Sequence, residues 1–443
     1  MTPEQNDILC RVEGSAPMGR LMRQHWIPAC MIEEVAEPDC TPLRVRLLGE
    51  NMVVFRDTNG RIGALDEQCP HRRASLVFGR NEECGLRCLY HGWKFDVDGN
   101  AVDMSSEPLD AKLRSTMKTK AYPVIESGGF VWVWMGDPNN VARFDPPNWA
   151  AVPDDKIAIV KVHGECNWAQ ILEGSIDSSH SSSLHSSNMP TASEVSGSTA
   201  TETAWLRPSA DKAPRIEVEK TAFGFRYAAI RKPIVDADKQ DYVRTTLFVA
   251  PFTVHIPSND QYHLSQLLIP IDDENTMFHW IAWHPTKGIS RDAWRKFCGA
   301  ELGKDVEPIT FKKVRNQENS YMQDRAAMKA GDFTGIYGIP TQDMAMWESM
   351  GPIADRSEDR LGSSDKAIFT YRTVMYRAAQ AVAGGQPAIG TTEPHIPHAK
   401  LMSFEGMIPK GEDWKERNIS EEERALRAAS SNNRQGEEQE NIA

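Results

Sequence analysis

No uninterrupted apolar run of about 18 residues, the minimum for a membrane-spanning helix, occurs in the 443-residue sequence. The opening MTPEQNDILCRVEG lacks a basic stretch followed by an apolar core, so no secretory leader is expected there. Positive charge is also short: 50 Lys and Arg stand against 62 Asp and Glu, for a net charge of −12. Nucleic acid or an anionic membrane surface would repel such a chain, which argues against both as partners. Eight cysteines in this length are too sparse for a disulfide framework. The expected compartment is therefore a reducing cytoplasm, with thiols available as metal ligands. No GxGxxG turn and no flavin motif is present, so nicotinamide and flavin chemistry belong to another chain. No internal repeat is found.

What is present is an ordinary globular composition, 40% hydrophobic and 25% charged, with length enough for two domains. Residues 1–30 carry Leu9, Val12, Met18, Leu21, Met22 and Trp26 at roughly helical spacing, a helical lead-in. From Leu43 the texture changes to short β-branched runs split by Gly-Glu-Asn and Thr-Asn-Gly, a hairpin signature. Residues 43–136 read as a small all-β domain. The Pro-, Asn- and Asp-rich stretch 137–155 is the boundary, giving domains 1–145 and 146–443. Beyond it, strand-like segments at 157–165, 215–219, 223–230, 243–249, 262–269 and 276–284 mix with helical ones. The helical segments are 167–177, 290–302, 318–330 and 366–383. This is an α+β fold with a mostly antiparallel sheet. From Glu412 a charged helix is expected, ending in a frayed tail.

Two ligand pairs stand out in the first domain. Cys69-Pro-His71 and Cys88-Leu-Tyr-His91 are sixteen residues apart, each at a turn beside a strand. Two thiolates and two imidazoles suit either Zn²⁺ or a [2Fe-2S] cluster with cysteines on one iron and histidines on the other. In the second domain, 167–185 is dense in polar ligands. His180 and His185 are five residues apart, about 140° on a regular helix. With helix-poor serines between them, the helix is expected to end or distort between the two histidines. Two imidazoles and one carboxylate make the facial triad that leaves iron positions open; the same segment also fits a polar surface turn. Downstream, Asp343 and Glu348 are both available carboxylates, and spacing alone does not choose.

CPHR and CLYHGWKFD, with Gly92-Trp93 after the second histidine, resemble the Rieske signature. The segment NWAQILEGSIDSSHSSSLH resembles the mononuclear-iron motif of Rieske non-haem iron ring-hydroxylating oxygenases, in their phthalate dioxygenase-like branch. The respiratory Rieske proteins carry an extra cysteine in each cluster loop, and these loops have none. The resemblance spans both domains and most of the chain. It implies an all-β Rieske [2Fe-2S] domain followed by an α+β catalytic domain. Cys69, His71, Cys88 and His91 would hold the cluster, with Cys84 unused. His180, His185 and Asp343 would hold one mononuclear Fe(II). Asp177 matches the family's bridging aspartate, which fixes the His180 tautomer and hydrogen-bonds a cluster histidine, here His91, of a neighbouring subunit. Arg207 and Arg244 match the guanidinium groups that hold ring carboxylates, with Ser179 assisting. Ile171, Leu172 and Ile176 suit either the ring pocket or ordinary core.

The resemblance implies an oxygenase component, a homotrimer or stacked trimers, that cis-dihydroxylates phthalate or a related aromatic carboxylate with O₂. Electrons would come from NAD(P)H through a separate FMN/[2Fe-2S] reductase. Two rivals stand beside it. One is a monooxygenase or O-demethylase acting on a chloro-, methoxy- or phenoxybenzoate. The other is an electron-transfer or zinc protein without oxygenase activity.

Overall fold

The computed structural model describes residues 1–192, 207–257 and 262–429. These divide into two compact units: Val12–Phe144, and Met1–Arg11 together with the chain from Asp145 onward.

The smaller unit is built from three antiparallel sheets. Strands Trp26–Met31, Phe130–Trp134 and Val124–Ser127 form one, and Leu43–Leu47, Glu50–Arg56 and Ile62–Asp66 form a meander. Arg80–Glu82, Gly85–Arg87, Trp93–Phe95 and Ala101–Met104 form the third. The turns follow from their residues. Leu48 and Gly49 both take positive φ, 49° and 82°, the left-handed pair that a two-residue type I′ hairpin requires. Asp57 Oδ1 closes the next turn by accepting from the N–H groups of Asn59 and Arg61. Val53, Phe55, Leu65, Leu86, Trp93 and Phe95 make one buried core, and Cys69 and Cys88 belong to it.

The lead-in differs from the expectation of one helical segment. It comprises helices Pro3–Cys10 and Pro17–Met22 and then strand Trp26–Met31, because the Trp-Ile-Pro-Ala-Cys-Met run pairs with Phe130–Trp134. The first helix joins the larger unit, where the Cys10 carbonyl accepts from Asn167 Nδ2 at 2.9 Å and from Trp168 Nε1 at 3.1 Å.

The larger unit is an antiparallel sheet in the order Ile157–Gly164, Thr276–Trp283, His263–Pro270, Thr253–Ile256, Gln240–Val249, Gly224–Arg231, Arg215–Thr221. A further strand, Phe404–Pro409, also pairs with Gln240–Val249. Neither Thr253–Ile256 nor Phe404–Pro409 is apparent in the sequence pattern. Along one edge of Gln240–Val249, Phe404–Pro409 covers residues 240–245 and Thr253–Ile256 covers 247–249. That edge therefore changes partner just beyond Arg244.

Both faces of this sheet are buried, which is why Gly224–Arg231 is buried throughout. On one face the Phe225 and Phe248 rings pack tilted at 5.3 Å, and Tyr371 of helix Lys366–Ala383 packs edge-on against Phe248. By alternation the same face carries Tyr227, Ala229 and Arg231 opposite Thr246, Arg244 and Tyr242. The other face packs Ala228, Ile230 and Val243 against Ile408 and Trp414. Leu247 and Val249 pack there against Ile396, Leu401 and Leu426. A helix covers 421–429; the expected frayed end, 430–443, lies outside the described residues.

Helices Trp168–Ser175, Arg291–Cys298 and Lys366–Ala383 form near the expected positions. The segment expected as one helix over 318–330 is instead a 3-10 turn, Gln317–Met322, and a short helix, Arg325–Lys329. Asp324 separates them by accepting from the N–H groups of Ala326 and Ala327, starting a new helix. Helix Ile339–Ser349 is a further element the sequence pattern missed. Nearly all of its residues are buried, so it shows no amphipathic stripe. Among the described residues no helix is long and apolar enough to cross a membrane.

Candidate metal centres and substrate cavity

In the smaller unit, Cys69 and Cys88 begin loops of the same shape. The Cys69 N–H donates to the Ala74 carbonyl and the Arg73 N–H to the Cys69 carbonyl. The Cys88 N–H donates to the Trp93 carbonyl and the Gly92 N–H to the Cys88 carbonyl. The fourth residue after each cysteine is left-handed, Arg73 at φ 61° and Gly92 at φ 74°. At Gly92 a Cβ would lie 2.3 Å from Ser105 Oγ, so a larger residue would have to displace that hydroxyl as well as hold the left-handed backbone. The loops bring the His71 and His91 rings to 4.2 Å, and Trp93 stacks on His71 at 4.3 Å.

The two thiols lie within hydrogen-bonding reach of one another. Burial, with the Cys88 thiol beside it, pushes Cys69 up to about 11. His71 Nδ1 is buried without a partner. Two cysteine sulfurs side by side in an apolar core and an orphaned imidazole nitrogen form a donor set that fits a cationic S₂N₂-bound group.

In the larger unit, helix Trp168–Ser175 starts at Asn167, whose side chain accepts from the Ala169 N–H. It ends at Ser175, before both histidines, whereas the sequence placed that end between them. Asp177 Oδ1 accepts from the Ser179 N–H at 2.7 Å, and this Asx turn competes with further helix. His180 then opens a 3-10 turn. This irregular path removes the 140° splay of a regular helix and lets the imidazoles converge.

Nε2 of His180 lies 3.2 Å from Nε2 of His185. Asp343 Oδ1 is 3.5 Å from the first and 3.0 Å from the second. These atoms form a possible metal-binding group of one carboxylate and two imidazoles. Each second ring nitrogen faces an acceptor. His180 Nδ1 is 3.5 Å from Asp177 Oδ2, and His185 Nδ1 is 2.8 Å from Gln342 Oε1. The Gln342 amide is oriented by its own bonds, since Nε2 donates to Asn188 Oδ1 and the Ile336 carbonyl. Both histidines thus point Nε2 at one spot, beside an Asp343 Oδ1 that has no hydrogen-bond partner. Two imidazole nitrogens and one carboxylate oxygen converging in this way are a donor set that fits a divalent cation.

Burial alone would raise Asp177, yet the His180 imidazole and the backbone N–H groups of Ser179 and His180 hold it below the usual carboxylate range. Burial would depress His180, yet Asp177 and Asp343 lift it above its ordinary value.

Glu348, the other candidate carboxylate, is engaged elsewhere. It pairs with Lys313 Nζ at 2.7 Å, accepts from the Glu165 N–H at 2.8 Å, and is bonded by the Tyr321 hydroxyl. Asp343 and Glu348 are five residues apart on helix Ile339–Ser349, so their side chains leave it about 140° apart.

A cavity opens over the triad. Tyr227, Arg244, Thr246 and Gln266 line it from the sheet, and Met189, Ile256, Trp280, Ile339 and Trp347 supply apolar walls. Trp347 reaches it because Gly174 lets two helices touch: a Cβ there would sit 2.0 Å from the indole nitrogen. Of the expected substrate groups, Arg244 lines the cavity, and its Nε lies 3.6 Å from Glu405. Arg207 does not line it. Its Nη1 donates to Ser182 Oγ at 2.9 Å and its Nε to the Met189 carbonyl at 3.0 Å, gripping the segment around His185. Ser179 is also off the wall, with its hydroxyl buried. Ile171, Leu172 and Ile176 are fully buried core. Gln342 and Arg231 have roles that sequence reading missed. The signal for Gln342 was its place next to Asp343.

Comparison with known proteins agrees with this architecture. The family described as Rieske [2Fe-2S] domain matches residues 25–117, and that described as LigXa C-terminal domain like matches 133–437. The chain is 54% identical to the phthalate 4,5-dioxygenase oxygenase subunit of Pseudomonas putida, over 94% of each chain. It is 35% identical to the 3-chlorobenzoate-3,4-dioxygenase oxygenase subunit of Comamonas testosteroni, over 93% of this chain and 96% of that one. A solved structure, the NdmA QL mutant of Pseudomonas putida CBB5 with caffeine, aligns with a TM-score of 0.59 at 18% identity. That alignment covers 90% of this chain and 99% of the other, and shares the fold. With a Rieske domain ahead of a catalytic domain holding a two-histidine, one-aspartate centre, this chain belongs to the Rieske non-haem iron oxygenases, which carry a [2Fe-2S] cluster and a mononuclear iron.

Proposed function

We propose that this chain is the oxygenase component that cis-dihydroxylates phthalate or a closely related aromatic carboxylate, working in the cytoplasm as a trimer or stacked trimers with a separate reductase. The observation that carries it is one cavity with the His180, His185 and Asp343 triad at its end and Arg244 on its wall. The similarity to a phthalate 4,5-dioxygenase subunit supports the substrate class.

When bound, the cluster and the iron supply one-electron transfer and O₂ activation. Cys69, His71, Cys88 and His91 would hold the first, and His180, His185 and Asp343 the second. The remaining work belongs to this chain's side chains. Arg244, already charged and fixed on the sheet, meets a ring carboxylate. Trp280, Trp347 and Ile339 confine the flat ring and exclude water. Asp177 and Gln342 hold the two imidazoles in the tautomer that leaves Nε2 free. Arg207 fixes the His185 segment through Ser182 and Met189, and Ser179 anchors the Asp177 turn through its backbone. The net conversion adds O₂, two electrons and two protons to the ring, giving a cis-dihydrodiol.

One observation favours a second reading. Arg244 is the single arginine among the described residues lining the cavity, which suits a monocarboxylate such as a substituted benzoate. A single turnover decides between them, using chemically reduced protein, ¹⁸O₂ and either phthalate or 3-chlorobenzoate. A phthalate dihydrodiol with two labelled oxygens supports the first reading. Labelled product from the benzoate alone replaces it with the second.

A further inference from the structure

Most of the buried arginines in the larger unit have a carboxylate. Arg226 pairs with Glu219 and Glu423, Arg356 with Glu173, Arg372 with Glu173 and Asp359, and Arg244 with Glu405. Arg231 is different. It ends strand Gly224–Arg231 at 2% exposure, and among the described residues no carboxylate pairs with it. Its Nη2 donates to the Ser178 carbonyl at 2.7 Å, its Nη1 reaches Ser178 Oγ at 3.5 Å, and its Nε is buried with no partner.

Register places this charge beside the cavity. Arg231 lies opposite Tyr242, and Arg244 is two residues further along the same strand on the same face. Diagonal neighbours of that kind are about 7–8 Å apart. Ser178, which Arg231 grips, is itself a cavity-lining residue, so the guanidinium sits one residue behind the wall. Glu405, the nearby acid on this face, is engaged by Arg244 and by the Tyr242 hydroxyl. Burial, with Arg244 alongside, pulls Arg231 down to about 10, so it remains a cation at neutral pH. A buried cation without a counter-ion is strongly unfavourable unless a negative group arrives. Arg244 already has Glu405 beside it, so Arg231 is the unbalanced charge behind the cavity, and each further negative charge on a ligand there gains from it.

We propose that Arg231 is a specificity-determining charge, which from behind the Ser178 wall makes the cavity favour a doubly anionic aromatic ligand over a singly charged one. This rests on the reading of the cavity as an aromatic-acid site and narrows its substrate class to dicarboxylates. A purely structural role would hold the 177–180 turn and be indifferent to ligand charge.

The test is calorimetric titration of the loaded, full-length protein without O₂, using phthalate, benzoate and benzamide as ligands of charge −2, −1 and 0. Wild type, Arg231→Gln and Arg231→Lys are compared. Removing a unit charge at this range in a partly polar interior corresponds to about tenfold or more. The phthalate-to-benzoate affinity ratio is expected to fall by that factor in Arg231→Gln and to stay within about threefold of wild type in Arg231→Lys. Equal weakening of all three ligands in Arg231→Gln, with the ratios unchanged, overturns the proposal. Arg231→Met is the second neutral variant if Arg231→Gln does not fold. A wild type that prefers benzoate to phthalate ends the dicarboxylate reading by itself. The benzoate-to-benzamide ratio then still judges the charge role, sustaining it if lost in the neutral variant and ending it if kept. A wild type that prefers benzamide ends both.

Discussion

Gln342 Oε1 lies 2.8 Å from His185 Nδ1, and the next residue in the chain is Asp343, whose Oδ1 is 3.0 Å from the same imidazole's Nε2. One turn of helix Ile339–Ser349 thus delivers both a candidate metal ligand and the hydrogen-bond support of another candidate ligand. A small rotation of that helix moves both together. Replacing Gln342 with Leu is expected to lower iron affinity by about 10–100-fold and leave the cluster's visible spectrum intact. Iron titration of the purified variant checks this, and unchanged affinity would remove Gln342 from the site.

Asp177 faces His180 Nδ1 on the opposite side. An amide in its place still accepts the imidazole proton but loses the negative charge. Asp177→Asn should therefore retain cluster and iron within about tenfold of wild-type affinity, while turnover falls by about 10–100-fold or more. Paired metal analysis and steady-state rates test it. Near-normal turnover would show that the charge at Asp177 does not matter.

Glu348 and Lys313 form a buried pair at 2.7 Å. Glu348→Gln leaves the Lys313 ammonium uncompensated, and the expected loss is about 3–5 kcal/mol of stability. Iron per folded protein should not change, because Asp343 and not Glu348 faces the histidines. Denaturant unfolding and iron content are measured on the same sample. Full stability with lost iron would reverse the assignment of the third ligand.

Glu423 gives a pH dependence. Burial, against the pull of Arg226, pushes its carboxyl up to about 7 from an ordinary 4.5. The folded state therefore holds a proton that the unfolded state has released. Stability from this group is present below pH ~4.5 and is lost as pH rises through ~7, by up to about 3 kcal/mol. Arg226 lies 3.4 Å away, and Glu423→Gln keeps a neutral partner for it at every pH. The variant should match wild type at low pH and exceed it in stability at pH 8. Unfolding midpoints across that range decide, and a pH-independent difference would refute the shift.

Local patterns in the sequence carried the smaller unit well. Its hairpins are announced by Gly49 and by Thr58-Asn59-Gly60, although the first turn falls at Leu48-Gly49 and Glu50-Asn51 already belong to the next strand, and its ligand pairs sit within a few residues of each other. Cys69, His71, Cys88, His91, His180 and His185 stood out as candidates for that reason. Asp343 was different, because nothing local distinguishes it from Glu348. Only resemblance chose between them, and the choice fits the different sides of a largely buried helix on which the two sit. That helix, and strands Thr253–Ile256 and Phe404–Pro409, escaped detection because burial on all sides or short length erases periodicity. Arg207 and Ser179 were singled out for contact with a ligand, and the fold instead places them behind the wall. Arg231 went unnoticed because an arginine at a strand end is indistinguishable in sequence from a surface charge until its neighbours are known.

Strand Gln240–Val249 changes partner along one edge, and the first of those partners, Phe404–Pro409, comes from near the end of the chain. Glu405 on that strand is directly in register with Arg244. The strand that brings Glu405 to Arg244 is thus a separate, distant segment of the chain, and displacing Phe404–Pro409 would strip Arg244 of its acidic neighbour and raise the cavity's positive charge.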